Sequence, residues 1–174
     1  MIKRASFEIF TAIVLALLIF LASTAIMESR VVQGMSMEPS LHTAERVLVI
    51  KAAYWFGDPQ HGDVVIFESP REQSDVLVKR VIALPGEWVE IKFGQVYVDD
   101  VLLEEPYIDS TNRDYPRTQV PENSYFVMGD NREHSSDSRS WGMLPRENII
   151  GKAWLCYWPL SDWHLLPEYS NTAD

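Results

Sequence analysis

Hydrophobic patterning divides the chain into two unequal parts. From Ile9 to Met27 no charged residue occurs, and a helix of that length, at ~1.5 Å per residue, crosses the ~30 Å hydrocarbon core of a bilayer. Beyond it the rhythm changes. Apolar residues fall into short β-branched runs: Arg46-Val47-Leu48-Val49-Ile50-Lys51, Asp63-Val64-Val65-Ile66-Phe67, and Val76-Leu77-Val78-Lys79-Arg80-Val81-Ile82-Ala83-Leu84. Each has the length of a strand. Trp88-Val89-Glu90-Ile91-Lys92, Gln95-Val96-Tyr97-Val98 and Val101-Leu102-Leu103 follow, separated by Phe93-Gly94 and Asp99-Asp100, and predict consecutive hairpins. Ser124-Tyr125-Phe126-Val127-Met128 and residues 149–158 complete the strands, while residues 106–123, polar and interrupted by Pro106, Pro116 and Pro121, predict a loop. No useful apolar stripe of helical period occurs after Met27. The expected fold is mainly β: an N-terminal transmembrane helix followed by a barrel-like all-β domain. Residues 1–8 form a short N-terminus, 9–27 the anchor and 31–174 the β-rich domain.

Charge adds an orientation. Lys3 and Arg4 precede the apolar run, whereas Glu28 and Arg30 after it cancel. The positive-inside bias therefore puts the N-terminus in the cytoplasm and the β-rich domain outside it. Ser23-Thr24-Ala25 also suits the cleavage site of a signal peptide, but the charge-free run is longer than the ~7–15 residues of an h-region, which favours a retained anchor. Tyr54-Trp55-Phe56, expected on a loop, fits a core or a bilayer interface equally well. Residues 158–166, with Trp158 and Trp163, pose the same alternative.

Composition then excludes several classes. A net charge of -10 with no visible basic face argues against nucleic acid as a partner. Cys156 is the sole cysteine, so no intramolecular disulfide can form; within Ala153-Trp154-Leu155-Cys156-Tyr157-Trp158 it reads as a small buried hydrophobe. One cysteine and scattered histidines give no zinc spacing, and neither a metal nor a cofactor is expected.

The candidate chemistry lies in two stretches. Gly34-Met35-Ser36-Met37-Glu38-Pro39-Ser40-Leu41 places a serine in an irregular segment just beyond the anchor, and Lys79 is stranded inside a run that reads as a buried strand. A serine needs a base, and a desolvated lysine can serve as one. Strand alternation puts Lys79 with Leu77, Val81 and Ala83, and Arg80 with Val78 and Ile82, so alternation does not choose between the two cations. Chemistry does, because arginine does not deprotonate usefully. A third stretch, Gly129-Asp130-Asn131-Arg132-Glu133-His134-Ser135-Ser136-Asp137-Ser138-Arg139-Ser140-Trp141-Gly142, fails as a calcium loop because Arg132 and His134 occupy alternate ligand positions. A histidine base drawn from His134, His42, His61 or His164 has no spacing that singles it out.

Together with Gly62-Asp63-Val64-Val65, and in this order behind an anchor, these stretches resemble the boxes of the type I signal peptidases. The resemblance runs from the anchor to about Trp158. It implies a membrane-bound Ser–Lys endopeptidase of the plasma membrane that removes signal peptides from exported precursors after an Ala-x-Ala-like site, without cofactor or metal. Its partners would be those precursors and the lipid bilayer. The resemblance assigns Ser36 as nucleophile, Lys79 as general base and Ser135 as the hydroxyl that orients the lysine, with Asp137 and Arg139 as a bracing pair. Val32, Met37, Leu77 and Val78 would line shallow pockets beside strand edges that take an extended peptide. Gly34 departs from members that carry a hydroxyl two residues before the nucleophile, and leaves the oxyanion to the Ser36 N–H. His134 stands where asparagine is common. Rival readings are a His-based hydrolase, a membrane-anchored β-module that only binds exported chains, and a self-cleaving repressor-type Ser–Lys protease; the anchor and the lack of a basic DNA-binding helix argue against the last.

Overall fold

The computed structural model describes residues 2–72, 75–108 and 113–166. Residues 109–112 of the expected loop and 167–174 of the expected domain lie outside the described residues. Helix α1 (Ile2–Ile26) leaves Ile9, Phe10, Ile13, Ile19 and Phe20 each at least 60% exposed. These apolar side chains face away from the rest of the described chain. The stretch Glu8–Ile26 is long and apolar enough to cross a membrane.

In chain order the strands that follow are β1 (Met27–Val31), β2 (Arg46–Ile50), β3 (Val64–Glu68), β4 (Val76–Ala83), β5 (Trp88–Lys92) and β6 (Gln95–Val98). They continue with β7 (Val101–Leu102), β8 (Tyr115–Gln119), β9 (Ser124–Met128), β10 (Leu144–Pro145), β11 (Ile149–Trp158) and β12 (His164–Leu165). One sheet runs β1-β2-β11-β3-β4-β9-β10 with β12 beside β11; the second runs β7-β6-β5-β8. The fold is thus mainly β, as the patterning predicts.

Two boundaries differ from expectation. The sheet starts at Met27 rather than Val31, because β1 follows α1 directly and pairs with β2 from Met27↔Ile50 to Val31↔Arg46. As an edge strand whose residues are exposed or half-buried in alternation, β1 carries little apolar signal. The expected loop 106–123 also contains β8, which pairs with β5 at the edge of the second sheet and tolerates Pro116 for that reason. The aromatic cluster splits: Tyr54 is buried at the end of a 3₁₀ turn, while Trp55 and Phe56 are 57% and 99% exposed.

The pairing of β4 positions the site. On one side β3 covers it from Val64↔Arg80 to Glu68↔Val76. On the other, β9 reaches only Arg80↔Met128, Val81↔Val127 and Ala83↔Phe126. Residues 76–79 therefore have no β9 partner, and the segment leaving β9 after Met128 rises beside Lys79 and Arg80. Ile82, Ala83, Phe126 and Met128 pack with Val89, Ile91, Val96 and Val98 into a core shared by the two sheets.

Candidate active site

Ser36 lies on the loop between β1 and β2. Backbone bonds brace that loop: Val32 N donates to Glu45 O (2.8 Å), Ala44 N to Val32 O (2.9 Å) and Leu41 N to Met37 O (2.9 Å). Gly34 has φ +83, a conformation that favours glycine. An L side chain at this position would be strained although the space around it is open. Met37 and Leu41, 1% and 0% exposed, bury the far side of the loop in the core with Val32, Val47 and Val49.

Lys79 Nζ sits 2.7 Å from Ser36 Oγ and donates to Val78 O at 2.7 Å. The lysine is 3% exposed. Burial disfavours its ammonium form and lowers its pKa to about 8, against the opposing pull of the Asp137 and Asp130 carboxylates. Neither carboxylate forms an ion pair with the amine. The four histidines are engaged elsewhere: His42 lies 3.6 Å from Glu38, His61 bonds Glu87, His134 bonds Asn131, and His164 bonds Asp162 O and Ser40 O.

The third stretch wraps around this pair. Asn131 N donates to Ser36 O at 3.1 Å. Gly129 allows this approach, since a Cβ there would overlap both the Ser36 carbonyl oxygen and Ser135 Oγ. Ser135 Oγ is buried in this cluster without a hydrogen-bond partner. Asp137 accepts from Gly129 N (3.1 Å) and binds Arg139 through both carboxylate oxygens, each at 2.8 Å, while Arg139 Nη2 also donates to Arg132 O at 2.7 Å. The bracing pair thus fixes both ends of residues 129–139.

Reading the sequence missed three residues that support this loop. Asp130 accepts two bonds from Arg80 (2.9 and 2.6 Å), and both side chains are fully buried. Glu105 binds Arg132 in a fork, with side chains 7% and 1% exposed. Tyr107 lies over the Arg80 guanidinium at 4.4 Å and donates to Glu105 at 3.0 Å. No local pattern marks Glu105 or Tyr107, since their partners lie far along the chain.

A cavity of about 500 Å³ opens onto Ser36 and Lys79. Its walls include Val31 and Val32 on one side and Val76, Leu77 and Val78 on the other, with Val47 and Ile66 also lining it. Three of the four expected lining residues meet here; Met37 does not line the cavity and instead packs in the core with Val32 and Val78. Among the described residues no group of three or more His, Cys, Asp or Glu is placed to hold a metal ion.

Residues 5–158 match the family described as signal peptidase, peptidase S26. Similar proteins include a probable signal peptidase I-1 of Synechocystis sp. (strain ATCC 27184 / PCC 6803 / Kazusa), 41% identical over 91% of this chain and 84% of that protein. A signal peptidase I of Bacillus licheniformis is 34% identical over 92% of each chain. A crystal structure of a signal peptidase I from Enterococcus faecalis V583 is 35% identical, covering 55% of this chain and 97% of that one, with a TM-score of 0.49. The chain belongs to the type I signal peptidases of the peptidase S26 family, and its activity is that of an enzyme that cleaves signal peptides.

Proposed function

We propose that the chain is a membrane-anchored endopeptidase in which Ser36 and Lys79 form the catalytic dyad. The 2.7 Å approach of Nζ to Oγ inside a buried site carries this reading. A pKa of about 8 leaves a substantial fraction of the amine neutral under mildly alkaline conditions. Neutral Lys79 takes the Oγ proton as Ser36 attacks the scissile carbonyl, and the negative charge that develops on that carbonyl oxygen is met by the Ser36 backbone N–H. The C–N bond then breaks as Lys79 gives the proton to the leaving amine; neutral again, Lys79 deprotonates a water that attacks the ester, and it returns that proton to Ser36 Oγ as the ester C–O bond breaks. The Asp137–Arg139 pair holds the segment that carries Ser135, whose Oγ is buried but makes no bond to the Lys79 amine.

The substrate's signal-peptide end lies extended along the uncovered edge of β4 and fills the cavity with alternate side chains. Val32, Leu77 and Val78 leave space for small residues such as the alanines of an Ala-x-Ala end and exclude larger ones by contact. Helix α1 spans the plasma membrane with Lys3 and Arg4 in the cytoplasm, and β1, joined to it without a linker, keeps the site at the outer surface. Exposed Trp55 and Phe56 rest at that interface.

Lys79→Ala and Lys79→Arg test the dyad in a cleavage assay on a signal-bearing precursor. Both are expected to lower the rate ~10²–10⁴-fold, as loss of a general base does, because arginine keeps its proton. Near-native cleavage by either variant removes Lys79 as the base.

A further inference from the structure

The second sheet carries neither member of the dyad, yet it reaches the catalytic loop through one short segment. Where the chain leaves β7, Leu103 N donates to Val96 O at 2.9 Å, and the Leu103 side chain packs against the core shared by the two sheets. Two residues further on, Glu105 forks onto Arg132 of the third stretch. Asp130, two residues before Arg132, is taken by Arg80. The carboxylate that matches Arg132 therefore comes from the segment that leaves the second sheet.

Arg132 in turn holds backbone on both sides of itself. Its Nε donates to Gly129 O at 3.0 Å, and its own carbonyl accepts from Arg139 Nη2 at 2.7 Å. Gly129 is packed against both the Ser36 carbonyl and Ser135, and Asn131, between Gly129 and Arg132, donates its N–H to Ser36 O. A guanidinium bound through two nitrogens to one carboxylate is fixed in direction as well as in place. Its remaining nitrogen is thereby aimed at Gly129 O.

We propose that Glu105 is a positioning residue for cleavage: its carboxylate fixes Arg132, Arg132 fixes the backbone of residues 129–131, and that backbone holds Ser36 at its working distance from Lys79. The proposal rests on the Ser36–Lys79 reading and adds to it a contribution from the second sheet. A kinetic signature follows from where Glu105 lies. The cavity beside the dyad is lined by residues 30–33, 36, 47, 66 and 75–79, and Glu105 is not among them. Loosening the brace slows the chemical step and leaves peptide binding nearly intact, because rates fall steeply when reacting groups are misplaced by about 1 Å.

The experiment uses the full-length chain in detergent micelles and one peptide with an Ala-x-Ala end, each variant being assayed well below its own unfolding temperature. Glu105→Gln is expected to lower kcat about ten- to hundredfold while KM stays within about twofold of the parent's. Breaking one side of a buried pair also destabilises, so a further pair of variants separates positioning from stability. Arg132→Met alone strands the Glu105 carboxylate, whereas Arg132→Met with Glu105→Leu removes both charges, and neutral packing is tolerated better than half of a pair. The double variant is expected to unfold at a higher temperature than Arg132→Met, yet to keep its kcat within about threefold of that variant's, since neither holds Gly129 O. Recovery of kcat together with stability in the double variant, a folded Glu105→Gln with kcat within about twofold of the parent's, or a loss confined to KM overturns the proposal while Lys79→Ala remains inactive. Cleavage by Lys79→Ala at the parental rate overturns the dyad instead, and this proposal with it.

Discussion

Lys79 and Arg80 are neighbours in β4, point to opposite faces of it, and are 3% and 0% exposed. Two buried cations on one strand meet opposite treatment. Arg80 is matched at every turn: Asp130 takes two of its hydrogen bonds, Gly62 O a third at 2.9 Å, Ser40 Oγ a fourth at 3.3 Å, and Tyr107 covers its face. Lys79 receives a carbonyl and a hydroxyl but no ion pair, although two carboxylates lie near enough to pull on its proton. A cation buried with its counter-ion stays charged and fixes structure. One buried without a paired carboxylate gives up its proton more readily, and that is the property a base needs.

The comparison breaks most visibly from the Arg80 side. Asp130→Asn leaves a fully buried guanidinium without its carboxylate, and breaking one half of such a pair costs about 3–5 kcal/mol. At ~2–4 °C per kcal/mol for a chain of this size, thermal unfolding is expected roughly 6–20 °C lower. The same change removes one of the two charges that raise the Lys79 pKa. In whatever fraction stays folded, the rising limb of the pH–rate profile moves to lower pH. A variant as stable as the parent would show that Arg80 does not depend on this partner.

How much of this contrast could be read in the sequence follows from its geometry. The strand character of β4, the candidacy of Lys79 and the boxes around Ser36 and residues 129–142 are all local, carried by alternation and motif. The choice between Lys79 and Arg80 was not local. Alternation treats the two alike, and only the chemistry of arginine separated them. The counter-ion that explains the difference arrives from β9's far end, 50 positions along the chain. Glu105 and Tyr107 were hidden for a further reason: their segment reads as the start of a polar loop, and its contact with Arg132 and Arg80 exists only once the second sheet has folded beside the first. Strand β8 escaped notice because an edge strand bearing a proline has the composition of a turn. Met37 shows the converse case: an apolar residue beside Ser36 suggests a pocket wall in the sequence and packs in the core instead.

The Lys79 side gives an effect of opposite sign. Its pKa is about 8 in the folded chain against 10.5 for the free side chain. Below pH 8 both folded and unfolded chains hold the proton, and the folded state bears the full cost of the buried ammonium. Between about 8 and 10.5 the unfolded chain binds more protons than the folded one, so stability rises with pH; above 10.5 the penalty is gone. Lys79→Met, which keeps the volume and removes the charge, is therefore expected to stabilise the chain by about 3 kcal/mol at pH 7, an advantage that fades through that window. Urea unfolding of parent and variant at pH 7 and pH 10 measures it. A destabilised variant at pH 7 would mean that the amine is held by interactions stronger than its desolvation, and Lys79 would then resemble Arg80. With Asp130→Asn, two charge-removing changes on or beside one strand give stability shifts of opposite direction.

The smallest effect concerns what covers Arg80. Tyr107 meets the guanidinium with its ring at 4.4 Å and meets Glu105 with its hydroxyl at 3.0 Å. Two contacts of one side chain can be separated. Tyr107→Leu removes both, and a desolvated cation over an aromatic face loses about 1–2 kcal/mol when the ring goes. Tyr107→Phe keeps the ring and removes the hydrogen bond to Glu105, for a loss nearer ~1 kcal/mol or less. Thermal unfolding is thus expected to fall in the order parent, Phe variant, Leu variant. Tyr107 acts from the Arg80 face of β4, so neither change should move the pH midpoint of cleavage, which the proposed dyad assigns to the amine on the other face. Equal losses for Phe and Leu would assign the role of Tyr107 to its hydroxyl and Glu105. A shifted midpoint would show that the two faces of β4 are coupled, and that the proton affinity of Lys79 is set partly by the packing of its charged neighbour.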